Sequence, residues 1–248
     1  MRFIDRNSPP LELAEWKHRE TVDHQRHYDG SLPTEVKDAI RDHRVRDQGL
    51  LCAYTMQRIR QINVGGEQGW DAHLEHVVTR KSSRERGRLE ETVDYRNLVA
   101  CVNRAGDLHY GASVRGDTVE DLPVNPLQSN CSERFRFRLT GKVDGVDTGA
   151  VATINILNLN HSYLKSLRQS RIAGSGFGIS ESRTPGIRRL AKPTVTATKA
   201  RRIAADVMQW RADGSLTEFC IAIAQAAEEH AKRVEHVAQR RRYARRQR

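Results

Sequence analysis

At 248 residues the chain can build one sizeable core or two small ones, since a single core usually takes roughly 100–200 residues. Its hydrophobic fraction of 38% lies below the roughly 45–50% of ordinary globular domains, and 29% of its residues are charged, which implies a modest core with long solvated arms. Forty-two Lys and Arg against 31 Asp and Glu leave a net charge of +11, a balance that favours polyanionic partners without choosing between DNA, RNA and an acidic surface.

Residues 1–48 read as a helical N-terminal arm. Pro9-Pro10 precedes Leu11, Leu13 and Trp16, and Thr34 can cap a second helix carrying Val36, Ala39 and Ile40 at helical spacing. His18, His24, His27 and His43 have no carboxylate or cysteine at ligand spacing and read as surface residues. Nothing approaches the ~18 apolar residues of a membrane span, and Met1 to Asp5 lack the apolar run of a signal peptide, so the cytoplasm is the expected compartment.

From Gly49 the texture changes. Leu50 to Met56 reads as a short buried strand or turn, Ala72 to Val78 as a second strand, and Leu98 to Val102 as a third apolar run. Arg80 to Glu91 has no apolar periodicity and reads as an exposed loop, where Arg80, Lys81, Arg84, Arg86 and Arg88 are candidates for phosphate contacts. Phe135 to Leu139 alternates with period two before Thr140-Gly141, so a hairpin is expected. Ala152 to Leu167 reads as a helix or strand-turn-helix, closing a segment of 49–170. Residues 171–200 read as a Gly/Ser/Pro-rich linker. Residues 201–248 read as helical, ending in the basic tail Arg240 to Arg248.

The chemistry concentrates in three pieces: His73-Leu74-Glu75-His76, Asp94-Tyr95-Arg96-Asn97-Leu98 and His109-Tyr110-Gly111. A carboxylate can hold a hard divalent cation, and an imidazole, with its pKa near 7, can deprotonate water for attack on a phosphodiester. Neighbouring residues of a strand point to opposite faces, so Glu75 and His76 can serve one site only if the strand ends there. Four cysteines (Cys52, Cys101, Cys131, Cys220) form no CxxC pair and read as free thiols, and the chain has neither a GxxxxGK[ST] phosphate loop nor a GxSxG elbow.

Together with Gly49 to Ile59, Tyr110-Gly111-Ala112, Arg115-Gly116-Asp117, Pro126-Leu127, Cys131 to Phe135 and Ile154 to Asn160, these motifs make residues 1–168 resemble the HNH nucleases, and within them the small HNH subunit of Septu-type and retron-associated antiphage defence systems. The resemblance implies an α+β fold with a ββα-metal core, flanked by the helical arm and a helical, basic extension. It implies that His76 is the general base, Glu75 a metal ligand and Asn97 the residue that orients the active loop. His109 is assigned to the metal with Asn103 as the alternative, and His73 assists. It implies Mg2+ or Mn2+ as cofactor, DNA as substrate, and a hetero-complex in which a separate ATPase gates cleavage. Many HNH proteins brace this core with two CxxC pairs around zinc; here Thr55 stands where the second cysteine of the first pair would be and Tyr110 where another might, so structural Zn2+ is not expected and apolar packing around Leu51, Tyr54 and Met56 would have to replace it. A rival expectation is a degenerate core that only binds nucleic acid or scaffolds a complex, and a weaker one is an RNA-binding protein.

Overall fold

The computed structural model describes residues 1–5, 8–19, 26–102, 109–115, 121–177, 179–181, 188–190 and 195–247. The fold is α+β: helices surround two-stranded antiparallel sheets, and among the described residues no helix is long and apolar enough to cross a membrane.

Helices α1 (Leu11–Arg19) and α2 (Thr34–Asp47) form the arm. Their apolar positions Leu13, Trp16, Val36 and Ile40 are buried with Val93, Tyr95 and Leu98 in one cluster, so the arm is packed onto the following segment. Gln48 continues this union across the boundary expected at residue 49. Its amide donates to the carbonyls of Leu51 and Ala100 and accepts from Ala100 N–H, each at 2.8 Å. Of the histidines read as surface residues, His18 is exposed, His27 and His43 are half-buried, and His24 lies outside the described residues. His43 Nδ1 is 2.7 Å from the Tyr95 hydroxyl.

Strands β1 (Gln61–Val64) and β2 (Glu67–Trp70) pair around Gly65-Gly66, both at positive φ. Two adjacent glycines are the residues such a two-residue turn demands, a signal that the sequence reading passed over. Strand β3 (Ala72–His76) pairs antiparallel with β4 (Leu98–Val102), setting His73 opposite Cys101 and His76 opposite Leu98. Leu98, Val99, Ala100 and Cys101 are all within 1% of full burial, which explains an unbroken apolar run where a half-exposed strand would alternate.

Between these strands the expected exposed loop is instead a short helix α3 (Arg80–Glu85) followed by a 3-10 turn at Leu89–Val93. Thr79 caps α3, its hydroxyl accepting from Ser82 N–H at 3.0 Å. A six-residue helix leaves no periodicity to read, so the cap was its only trace in the sequence.

After β4 come α4 (Ala112–Arg115), the hairpin β5 (Phe135–Phe137) and β6 (Val143–Gly145), and helices α5 (Thr148–Ile156) and α6 (Ser162–Ile172). Gly141 in the hairpin turn has φ of 75°, and a Cβ there would stand 1.9 Å from the Lys165 carbonyl oxygen, so only glycine fits. The stretch expected as linker holds a further antiparallel pair, β7 (Ile179–Glu181) with β8 (Arg188–Leu190). Helices α7 (Ala197–Asp206) and α8 (Cys220–Arg246) then pack against one another.

Candidate functional site

The three motif pieces occupy one hairpin-to-helix unit: Glu75 and His76 finish β3, Asn97 opens β4, and His109 precedes α4. The strand thus ends at the residue where shared service by Glu75 and His76 requires it to end. Their side chains nevertheless take different surroundings.

On one face, Glu75 Oε1 accepts from Arg115 Nη1 at 3.1 Å. Arg115 is wholly buried, and its guanidinium also donates to the Tyr54 hydroxyl (2.9 Å) and to the carbonyls of His76 and Val77 (both 2.6 Å). Burial and the Glu75 charge lift the Tyr54 phenol well above its ordinary range although Arg115 opposes this, so the phenol stays protonated. His73 shares the Glu75 face, with Nε2 3.9 Å from Oε2. Its Nδ1 is buried without a hydrogen-bond partner, and burial holds its pKa below the usual value.

On the other face, His76 is 6% exposed, with Nε2 2.9 Å from the Thr92 carbonyl oxygen. A carbonyl can only accept, so Nε2 carries the proton in the neutral ring and Nδ1 is the basic nitrogen. The Tyr28 ring meets the imidazole edge-on at 4.7 Å, and Tyr28 N–H donates to the Thr92 hydroxyl, so the arm helps to frame this histidine.

Asn97 stitches the intervening chain together. Its Oδ1 accepts from Val78 N–H at 2.7 Å while Nδ2 donates to the carbonyls of Val78 (3.1 Å) and Glu91 (3.0 Å). An amide is suited to this task because it offers a donor and an acceptor on one rigid plane.

His109 is exposed, and the contact that fixes its backbone is a 2.7 Å hydrogen bond from Asn158 Nδ2 to its carbonyl. Asn103, the alternative ligand, lies outside the described residues, as do Gly116 and Asp117 of the motif. Among the described residues no three His, Cys, Asp or Glu side chains gather to hold a metal ion. Among the motif residues Glu75 and His73 stand together, an oxygen and a nitrogen donor. That set fits Mg2+ or Mn2+ in type, because Mg2+ commonly takes only one or two carboxylates and completes its octahedron with water and substrate phosphate.

Around Thr55 and Tyr110 the chain is held by hydrogen bonds. Cys52 and Cys101 are buried and linked thiol to thiol; burial opposes ionisation of Cys52, yet hydrogen bonds from Cys101 and Thr55 bring it down to about 6, while burial and Cys52 push Cys101 up. Thr55 Oγ1 donates to Gln57 Oε1 (3.2 Å), whose Nε2 reaches the Tyr110 hydroxyl (3.4 Å). Leu51, Tyr54 and Met56 sit in the main core around this cluster.

The candidate phosphate contacts on and just after α3 are largely engaged with acids. Arg80 pairs with Asp29, Lys81 with Glu85 (3.8 Å), Arg84 with Asp29 (3.9 Å) and Arg86 with Asp121 (2.9 Å). Arg88 faces a cavity of about 460 Å³ shared with Lys17, Arg26, Glu90 and Asp94. Tyr28, Thr92 and Arg115 belong to the site's framework and were not singled out for it from sequence; only Arg115, inside the Arg-Gly-Asp motif, carried a local signal.

No protein-family model matches this chain, and comparison with curated proteins finds none similar to it.

Proposed function

We propose that the chain is a metal-dependent HNH-type endonuclease hydrolysing DNA phosphodiester bonds, with β3, β4 and α4 as its ββα nucleus. The observation that supports this reading is the Asn97 amide, which bonds Val78 and Glu91 and so ties together both ends of the segment that follows Glu75-His76. In this reading His76, oriented through Thr92, takes the proton of the attacking water on Nδ1. Glu75 and His73 would hold the divalent ion, with His109 or Asn103 as a further donor. Such an ion, when bound, would supply positive charge against the charge that develops on the phosphate oxygens. Arg115 aims the Glu75 carboxylate through a charge-assisted hydrogen bond. The absence of a phosphate loop suits an effector subunit of a bacterial antiphage system, gated in trans by a separate ATPase.

A second reading, a catalytically degenerate nucleic-acid-binding or scaffolding subunit, is favoured by one observation: His76 is nearly buried beneath Tyr28. Plasmid nicking separates the two. Wild type and His76→Ala are assayed with the partner ATPase and Mg2+ or Mn2+; the nuclease reading expects a loss of at least about 100-fold in the variant, and equal cleavage removes His76 from the mechanism. Mn2+ affinity that does not depend on Glu75 favours the scaffold.

A further inference from the structure

Helix α8 leaves the body of the protein part-way along its length. In its first half Ala222, Ile223, Ala226, Ala227 and Ala231 are buried. Arg201 of α7 pairs with both oxygens of Glu235, and this is the outermost tie between the two helices among the described ion pairs. From Glu235 to Gln247 every side chain whose burial is described is exposed. The stretch from Glu235 to the helix end at Arg246 extends about 18 Å at 1.5 Å per residue. It buries nothing that would explain its presence, and an isolated helix of this length is marginal in water.

Its charge is as unusual as its exposure. Residues 236–248 contain six Arg, no Lys, no Asp and no Glu, so +6 of the chain's +11 lies on this end. Arg240, Arg241, Arg242 and Arg246 have no acidic partner among the described residues, in contrast to the cations of α3. Arg242 and Arg246 stand one turn apart on one face, a like-charge spacing that opposes the helix, while the helix dipole at this end offsets part of the repulsion. An anion along this face would relieve it.

We propose that the projecting half of α8 is an arm that binds the phosphate backbone of duplex DNA. Guanidinium groups in place of ammonium match phosphate with paired donors. Val237 and Tyr243 are the large apolar side chains exposed here, too few for the apolar face that a membrane-surface helix needs. The arm's length covers about five nucleotide steps at 3.4 Å each. That the polyanion is DNA rests on the nuclease reading; that the arm binds phosphates rests on its charge and exposure.

The test is binding of the full chain to a fluorescent duplex across a salt series, with EDTA present so that no cleavage occurs. The variant carries Gln in place of Arg240, Arg241, Arg242, Arg245 and Arg246. The arm predicts affinity at least about tenfold weaker and a log–log salt slope shallower by about 3. Substituting Lys at the same five positions keeps the charge and is expected to retain most of the slope, which separates lost contacts from a damaged fold. Unchanged affinity and slope in the Gln variant overturn the proposal. So does wild-type binding to phosphatidylserine vesicles at salt concentrations that release DNA. Because no turnover is read, failure of the His76 mechanism leaves this result intact, and loss of the arm leaves His76 untouched.

Discussion

Around β3 and β4 buried polar side chains bridge distant segments, whereas the buried faces of α7 and α8 are rich in alanine. In the first region a buried Arg115 bridges the Glu75 carboxylate, the Tyr54 hydroxyl and two carbonyls, and Asn97 ties Val78 to Glu91. In the second, Ala200 and Ala204 of α7 and Ala222, Ala226, Ala227 and Ala231 of α8 are buried with hardly a polar atom among their side chains. Hydrogen bonds are directional, so the first arrangement holds side-chain positions within narrow limits and is costly to disturb. Packing of methyl groups is non-directional, so the second holds two helices together without specifying the chemistry of what projects beyond them.

The comparison predicts its largest effect at Arg115. Arg115→Met keeps much of the volume but strands a carboxylate, a phenol and two carbonyls, and is expected to lower unfolding stability by about 3–5 kcal/mol. Urea denaturation measures it; a loss below about 1 kcal/mol would mean that the guanidinium is not the anchor of this region. Among the buried alanines of α8, Ala227→Leu should cost less, about 1–3 kcal/mol from overpacking. If it proves the more damaging of the two, the contrast between the regions fails. The smallest effect is one of pH. Burial depresses the His73 imidazolium, so the unfolded chain takes up this proton first on acidification. The resulting stability is complete above about pH 6.5 and is lost as pH falls below that value. His73→Gln should flatten the stability profile between neutral and mildly acidic pH, and an identical profile in the variant would rule out this contribution.

Much of the local structure was legible in the residues. The apolar runs at 72–76 and 98–102 are strands, the Thr140-Gly141 turn closes a hairpin, and the helical spacing near Leu11, Thr34 and Phe219 marks helices. The order of Glu75-His76, Asn97 and His109 along one hairpin-to-helix unit was equally legible, because strand ends and apolar periodicity are properties of neighbouring residues. Short elements without periodicity were not: α3 was expected as a loop, and β7 with β8 as a linker.

What the residues determined alone is a basic chain of helical and strand segments, with a run of arginines unopposed by acids at one end and its candidate site residues grouped in three short stretches. Only the folded chain decided that Arg115 reaches Glu75 across 40 positions, that Tyr28 lies against His76, and that α3 spends its cations on nearby acids while α8 leaves its own exposed. The division has a physical cause. Backbone preference and charge density act over a few residues, whereas the hydrogen-bond partner of a buried guanidinium is set by which distant segments the core brings together.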